Sequence, residues 1–259
     1  MPPATFLTPP PLAFAHQGGG LEHTENSWEA FELAVSLGYP YLETDIQSSS
    51  DGVAFCMHDA TLDRTTNGRG QASQQPWAAI AALHVNGSER PPPRLDEVLV
   101  RWPDLRVNVD PKVGESVPPL IRALRDADAV ARTCVGSFSE RRIKRVTDAL
   151  GSQMCHSTGP LTTFRWVLGS LLPTTLGGLV ARTSAACYQV PVKQWRFVPV
   201  TTGRSVRLAH AMGKQVHVWV VDEANEMRRL LDLGVDGLMT DRPTVLRDLL
   251  VERGQWPGG

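Results

Sequence analysis

Short apolar runs rich in β-branched residues alternate with amphipathic stretches along nearly the whole chain. Runs at 12–16, 41–47, 53–58, 105–112, 133–138, 153–157, 187–192, 215–221 and 237–240 read as strands. Helical spacing fills most of the intervals. The first helix sets Trp28, Phe31 and Val35 on one face, with Asn26 read as its N-cap, Glu29 three residues on as in a capping box, and Gly38 as its stop. A later helix over about 223–233 aligns Met227, Leu230 and Leu231 ahead of Gly234. The last opens at Pro243 and carries Val245, Leu246, Leu249 and Leu250 toward Gly254. So many strand–helix units predict an α/β fold: a parallel sheet covered by helices, closed as a (β/α) barrel. An open dinucleotide-binding sheet would need G-x-G-x-x-G at a helix start, and GGG at 18–20 is followed by LEHTEN. Residues 59–94 break the rhythm, being polar and turn-rich apart from a brief Ala-rich turn. They read as an irregular insertion over the barrel mouth, closed by the prolines at 91–93.

Composition narrows this picture. The 259 residues suit one barrel domain spanning 1–259, and 42% hydrophobic with 20% charged residues is ordinary for a globular chain. With 26 basic against 27 acidic residues and no basic stripe, a nucleic-acid partner is not expected. The four cysteines are widely spaced without a C-x-x-C pair, which predicts small buried hydrophobes in a reducing cytoplasm. The opening MPPATFLTPPPL lacks the basic and apolar regions of a signal peptide, and no run is apolar enough to span a bilayer. The expectation is a cytoplasmic protein with no stable membrane insertion. Its oligomeric state is left open.

Active sites of such barrels gather at the C-terminal ends of the strands. By that rule His16, Glu43, Asp45, His58, Asp110 and Lys112 become neighbours. Glu43 and Asp45 share a strand face, as do Asp110 and Lys112. Three carboxylates without cysteine ligands make an oxygen-rich site suited to Mg²⁺ or Ca²⁺. A lysine beside it attracts an anion, phosphate foremost, and two histidines can divide the proton transfers. A bound cation lowers the pKa of a hydroxyl or water, so metal-assisted phosphodiester cleavage is the chemistry expected. Taken singly, each residue has a plainer role as an ion pair or carbonyl cap. A core rarely collects six such groups unless they are paired or metal-bound. His217 shares a face with Trp219 and either lines the pocket or packs structurally. Asp63 and Arg64 either bind substrate or pin the loop, and the glycines at 18–20 read as room for substrate near the backbone.

AHQGG, TENS, ETD, DG and HDATLDRTTNG, then VNVDPK, SFS at 137–139, VHVWVVDEANEM and LGVDGLMTDRP, resemble the pattern of the glycerophosphodiester phosphodiesterase family over nearly the whole chain. The resemblance implies a TIM barrel with a short insertion after the second strand. It implies His16 and His58 as the acid/base pair, and Glu43, Asp45 and Asp110 as ligands of one divalent cation, Ca²⁺ or Mg²⁺. Lys112 holds phosphate on this reading, with Gln17 and Trp219 also at the substrate. The implied reaction releases glycerol 3-phosphate and an alcohol from a small glycerophosphodiester. A glycerol hydroxyl attacks the phosphorus, and the cyclic phosphate is then hydrolysed. Two departures stand out. Gln17 replaces an arginine, offering one neutral amide for a charged fork, and Asp110 stands where glutamate is commoner. Gln17 therefore keeps two other readings in view: a lysophospholipase D-like enzyme for a bulkier diester, and a weakly active phosphodiester-binding protein.

Overall fold

The computed structural model describes residues 6–194 and 197–256. The first five residues of the stretch read as lacking a signal peptide lie outside the described residues. The ring is built from β1 (Leu12–Ala15), β2 (Tyr41–Ser48), β4 (Arg106–Pro111), β5 (Thr133–Val135), β6 (Cys155–His156), β7 (Cys187–Pro191), β10 (Gln215–Trp219) and β11 (Gly237–Thr240), with β3 (Ala54–Cys56) paired outside it. The order is β6-β5-β4-β2-β1-β11-β10-β7, every neighbour parallel, and a parallel bridge between Ser157 and Cys187 brings the two ends together. The expected (β/α) barrel is therefore what forms.

The run at 53–58 is the exception. It does form a strand, but β3 runs antiparallel to β2, with Ile46 opposite Cys56 and Ser48 opposite Ala54. Only residues 49–53 separate the two strands, and a parallel crossover needs about a dozen or more. The link turns at Gly52, whose φ of +82° suits glycine, and its amide donates to the Ser49 carbonyl. Antiparallel return carries the chain back over β2, so the Met57 amide reaches the Asp45 carbonyl at 2.9 Å.

Outside the ring lie α1 (Trp28–Ser36), α2 (Trp77–Ile80), α3 (Leu95–Arg101), α4 (Val117–Asp126), α5 (Glu140–Leu150), α6 (Pro160–Gly169), α7 (Thr174–Val180), α8 (Gly203–Ala211), α9 (Ala224–Leu233) and α10 (Pro243–Glu252). A small hairpin, β8 (Lys193–Gln194) with β9 (Val198–Pro199), follows β7. The N-cap of α1 is Ser27, not Asn26. The Ser27 hydroxyl accepts from the Ala30 amide, while Asn26 takes a left-handed φ of 52° and turns its side chain toward β2. The stops at Gly38 and Gly234 are as expected, both at positive φ. Trp256 packs edge-on against Tyr39.

Strand alternation sorts the core into two layers. Ala13 and Ala15 of β1 face the helices, while Leu12 and Phe14 point into the barrel beside Tyr41, Cys134, Cys155, Cys187 and Met239. All four cysteines are buried and free. His16, Glu43 and Asp45 continue the inward rows above that apolar plug. The insertion at 59–94 is ordered, with α2, a short 3₁₀ turn and its own cluster of Phe55, Met57, Leu62, Ala72 and Ile80.

Candidate active site

The register of the ring decides which strand ends meet. Ala15 lies opposite Thr240, so the next residues, His16 and Asp241, become neighbours although 225 positions apart. His16 Nδ1 stands 2.7 Å from Asp241 Oδ1, and Nε2 stands 3.7 Å from Glu43 Oε2. Burial works against a charge on this ring. Glu43, Asp241 and Asp45 outweigh it and raise the pKa to about 9.

Asp45 and Asp110 sit at the same height on adjacent strands, where two like charges would repel. The Lys112 ammonium resolves this by standing between them, 2.7 Å from Asp45 Oδ1 and 2.8 Å from Asp110 Oδ2. Burial opposes the lysine's charge, but the two carboxylates hold its pKa above the ordinary lysine value. Burial first, and then the charge of Asp45, push the Glu43 carboxyl up to about 8. The cluster is short of positive charge.

Gln17 is buried in a left-handed conformation, φ 51°. Its backbone amide donates to Glu43 Oε2 at 3.1 Å, and its side-chain amide donates to Asp45 Oδ2. Asn26 Nδ2 donates to the same oxygen at 3.1 Å. The neutral amide where an arginine was expected thus orients a carboxylate. The neighbouring glycines serve packing and turning: a Cβ on Gly18 would stand 2.7 Å from Ala30, and one on Gly19 equally close to Pro243.

The hairpin of β2 and β3 delivers His58, whose carbonyl accepts from Gln47 Nε2 at 3.1 Å. Its side chain is 47% exposed, and Nδ1 stands 2.8 Å from Asp59 Oδ1. Arg64 grips Asp59 and makes a two-point bond to Glu25 at 2.7 Å, so Arg64 pins the insertion to the segment before α1. The Arg64 hydrogen bonds chiefly hold Asp59 down at about 2. Asp63 accepts from the Gly70 amide, also within the loop. Trp219 is half-buried at the end of β10, edge-on to Phe138 at 5.6 Å. His217 is fully buried below it and does not line the mouth.

Sequence reasoning passed over Asp241 and Asp59, and read Asn26 only as a helix cap. Asp241 directly follows a barrel strand, so the strand-end rule could have found it. Asn26 and Asp59 show no periodic signal, since one acts from a left-handed turn and the other from a loop.

The donor set of Glu43, Asp45 and Asp110 is all carboxylate oxygen, as a hard divalent cation requires. Asp110 Oδ1 is buried without a hydrogen-bond partner among the described residues, and the nearby His16 and Lys112 do not offset the burial that pushes the Glu43 carboxyl up. These residues fit such a cation chemically. In the geometry described, the Lys112 ammonium draws Asp45 and Asp110 together, and no three His, Cys, Asp or Glu side chains among the described residues are arranged to hold a metal.

Known proteins match this chain along most of its length. The sequence model of the Glycerophosphoryl diester phosphodiesterase family matches residues 16–245. A Mycobacterium tuberculosis protein named probable glycerophosphodiester phosphodiesterase 2 is 36% identical over 248 residues, covering 95% of this chain and 93% of its own. A glycerophosphodiester phosphodiesterase structure from Agrobacterium tumefaciens superposes with a TM-score of 0.76 at 23% identity, covering 93% of this chain and 99% of that one. An Oleispira antarctica phosphodiesterase, solved in complex with the product sn-glycerol-3-phosphate, superposes at 0.75 with 19% identity, covering 93% and 97%. The two structural likenesses bear on the fold. The matches in sequence, running from the first histidine of the site into the last helix, establish that this chain belongs to the Glycerophosphoryl diester phosphodiesterase family.

Proposed function

We propose that this chain hydrolyses glycerophosphodiesters to glycerol 3-phosphate and an alcohol, using one divalent cation, Ca²⁺ or Mg²⁺, held by Glu43, Asp45 and Asp110. The observation that carries the reading is the geometry at the mouth of the barrel, where His16 is paired with Asp241 and stands beside the buried carboxylates of Glu43, Asp45 and Asp110. When bound, the cation would polarise the phosphate and lower the pKa of an adjacent hydroxyl. Lys112 supplies a further positive charge toward the phosphate.

The two histidines divide the proton transfers. Asp59 accepts from Nδ1 of His58, which leaves Nε2 with its lone pair free to act as base. His16 carries a proton on Nε2, with Nδ1 held by Asp241. His58 takes the proton of the glycerol hydroxyl next to the phosphoester as that oxygen bonds to phosphorus. The bond from phosphorus to the alcohol breaks, and the alcohol oxygen takes the His16 proton. Water then opens the cyclic phosphate with the two rings in exchanged roles, restoring both protonation states. Gln17 and Asn26 act at one remove by fixing Asp45. The four free, buried thiols suit a reducing cytoplasm.

Purified protein given glycerophosphocholine and Ca²⁺ or Mg²⁺ should release glycerol 3-phosphate, read by a coupled dehydrogenase assay, and should stop in EDTA. No product with either metal added would refute the reaction. Undiminished turnover by His58→Ala would refute the base. Faster turnover of lysophosphatidylcholine would move the substrate to the bulkier class.

A further inference from the structure

The face made by α6, α7 and α8 differs from the rest of the surface. Leu161, Phe164, Leu168, Leu171, Leu176 and Leu179 are exposed there, from 48% for Leu168 to 69% for Leu179. Seven of the thirteen exposed large apolar side chains among the described residues fall within 161–179. Scattered single exposures are ordinary, whereas a contiguous patch marks an interaction site.

Poor packing does not explain these exposures. Trp166 is buried, stacks on Tyr188 at 4.3 Å and donates to the Ser205 carbonyl of α8 at 3.1 Å. The two helices touch at paired glycines, where a Cβ on Gly169 would stand 2.7 Å from the Gly177 carbonyl oxygen. The inner faces are filled, and the leucines are left over.

Charge gives the second observation. Residues 149–221 contain seven Lys and Arg and no Asp or Glu, so this segment carries +7 and the rest of the chain −8. Arg165, Arg182, Arg204 and Arg207 are exposed, and none forms a salt bridge among the described residues. The patch also reaches the mouth of the barrel. α6 starts directly after β6, and the 84%-exposed Phe197 tips the hairpin directly after β7. These strands stand half-way round the ring from β1 and β2, beside which the 59–94 insertion lies.

We infer that this face docks peripherally on an anionic lipid bilayer, its leucines and phenylalanines entering the headgroup boundary and its arginines meeting lipid phosphates. No helix among the described residues is long and apolar enough to cross a membrane. A second copy of the chain is a poorer occupant, because two-fold pairing would set these arginines against one another, and the carboxylate that meets the start of α6, Glu140 of α5, is already engaged by the Thr162 amide and hydroxyl.

The test is sedimentation of the full chain with vesicles of equal phosphatidylglycerol and phosphatidylcholine, against phosphatidylcholine alone, at about 0.1 M salt. Binding should be about tenfold or more stronger to the anionic vesicles and should fall with added salt. The triple variant Phe164→Gln, Leu168→Gln, Leu176→Gln should lose about tenfold or more, with an unchanged circular dichroism spectrum and unchanged turnover of soluble glycerophosphocholine. Arg204→Gln with Arg207→Gln should lose about thirtyfold on anionic vesicles alone. Three results would overturn the inference: no anionic-vesicle binding, parental binding by the triple variant, or a parental dimer that the triple variant converts to monomer. Vesicle binding is read without catalysis, so the docking face and the proposed reaction stand or fall separately.

Discussion

Lowering the pH should destabilise this protein through one buried histidine far from the mouth. His217 is fully buried on β10, with its ring 5.0 Å from that of Phe14. Its Nε2 donates to Gln215 Oε1 at 3.0 Å, while Nδ1 faces the Gln189 side-chain amide nitrogen at 3.5 Å. That amide also donates to Asn108 Oδ1 at 2.9 Å, so a proton on Nδ1 would meet a donor. Burial accordingly pushes the pKa down to about 3 from the usual 6.5. The unfolded chain then binds more protons than the native one between those values, and stability falls as pH falls. The contribution is intact above the unfolded pKa. At pH 5 the loss is about 2 kcal/mol, rising toward about 5 kcal/mol below pH 3. Urea unfolding of the wild type and of His217→Gln at pH 7.5 and pH 5 isolates this group, because the other titrating groups are common to both. The wild type should lose about 2 kcal/mol more than the variant over that interval. Equal losses, or a His217 ring resonance that titrates near pH 6.5, would refute the reasoning.

Asp241→Asn keeps the shape beside His16 but removes the carboxylate on Nδ1; turnover of glycerophosphocholine should fall about a hundredfold or more, with the pH–rate profile displaced and folding intact. Lys112→Met leaves Asp45 and Asp110 side by side without their shared ammonium. It should cost about 3 kcal/mol by urea unfolding in EDTA, and Ca²⁺ should recover more stability in the variant than in the wild type. Asp59 is held down at about 2 chiefly by Arg64, so its stabilising share is present above its unfolded pKa and is lost as pH drops through about 2. Protection factors for hydrogen exchange across 59–70, which remove the intrinsic pH dependence of amide exchange, should therefore fall on acidification from pH 5 to pH 3 in the wild type, and should be low at both values in Arg64→Leu.

Much of this molecule was legible as sequence because periodicity and strand ends are local properties. Alternation along 12–16 and 41–47 set which side chains enter the barrel, and the strand-end rule then gathered His16, Glu43, Asp45, Asp110 and Lys112. The antiparallel hairpin of β2 and β3 was missed, although the link between them is too short for a parallel crossover. The pairings inside the site were not local. His16 meets Asp241 because ring closure puts β1 beside β11 in a register that sets Ala15 opposite Thr240. Gln17 meets Asp45 because the left-handed turn after β1 aims its amide inward, an outcome that depends on backbone conformation rather than residue type. The +7 of residues 149–221 was countable from the start, but only packing showed that the leucines among those charges face outward. The sequence by itself determined the barrel and the chemical inventory of its mouth, through patterns repeated within single elements. Tertiary structure decided which carboxylate serves which cation and which apolar face stays uncovered, because both are set by contacts between elements distant in the chain.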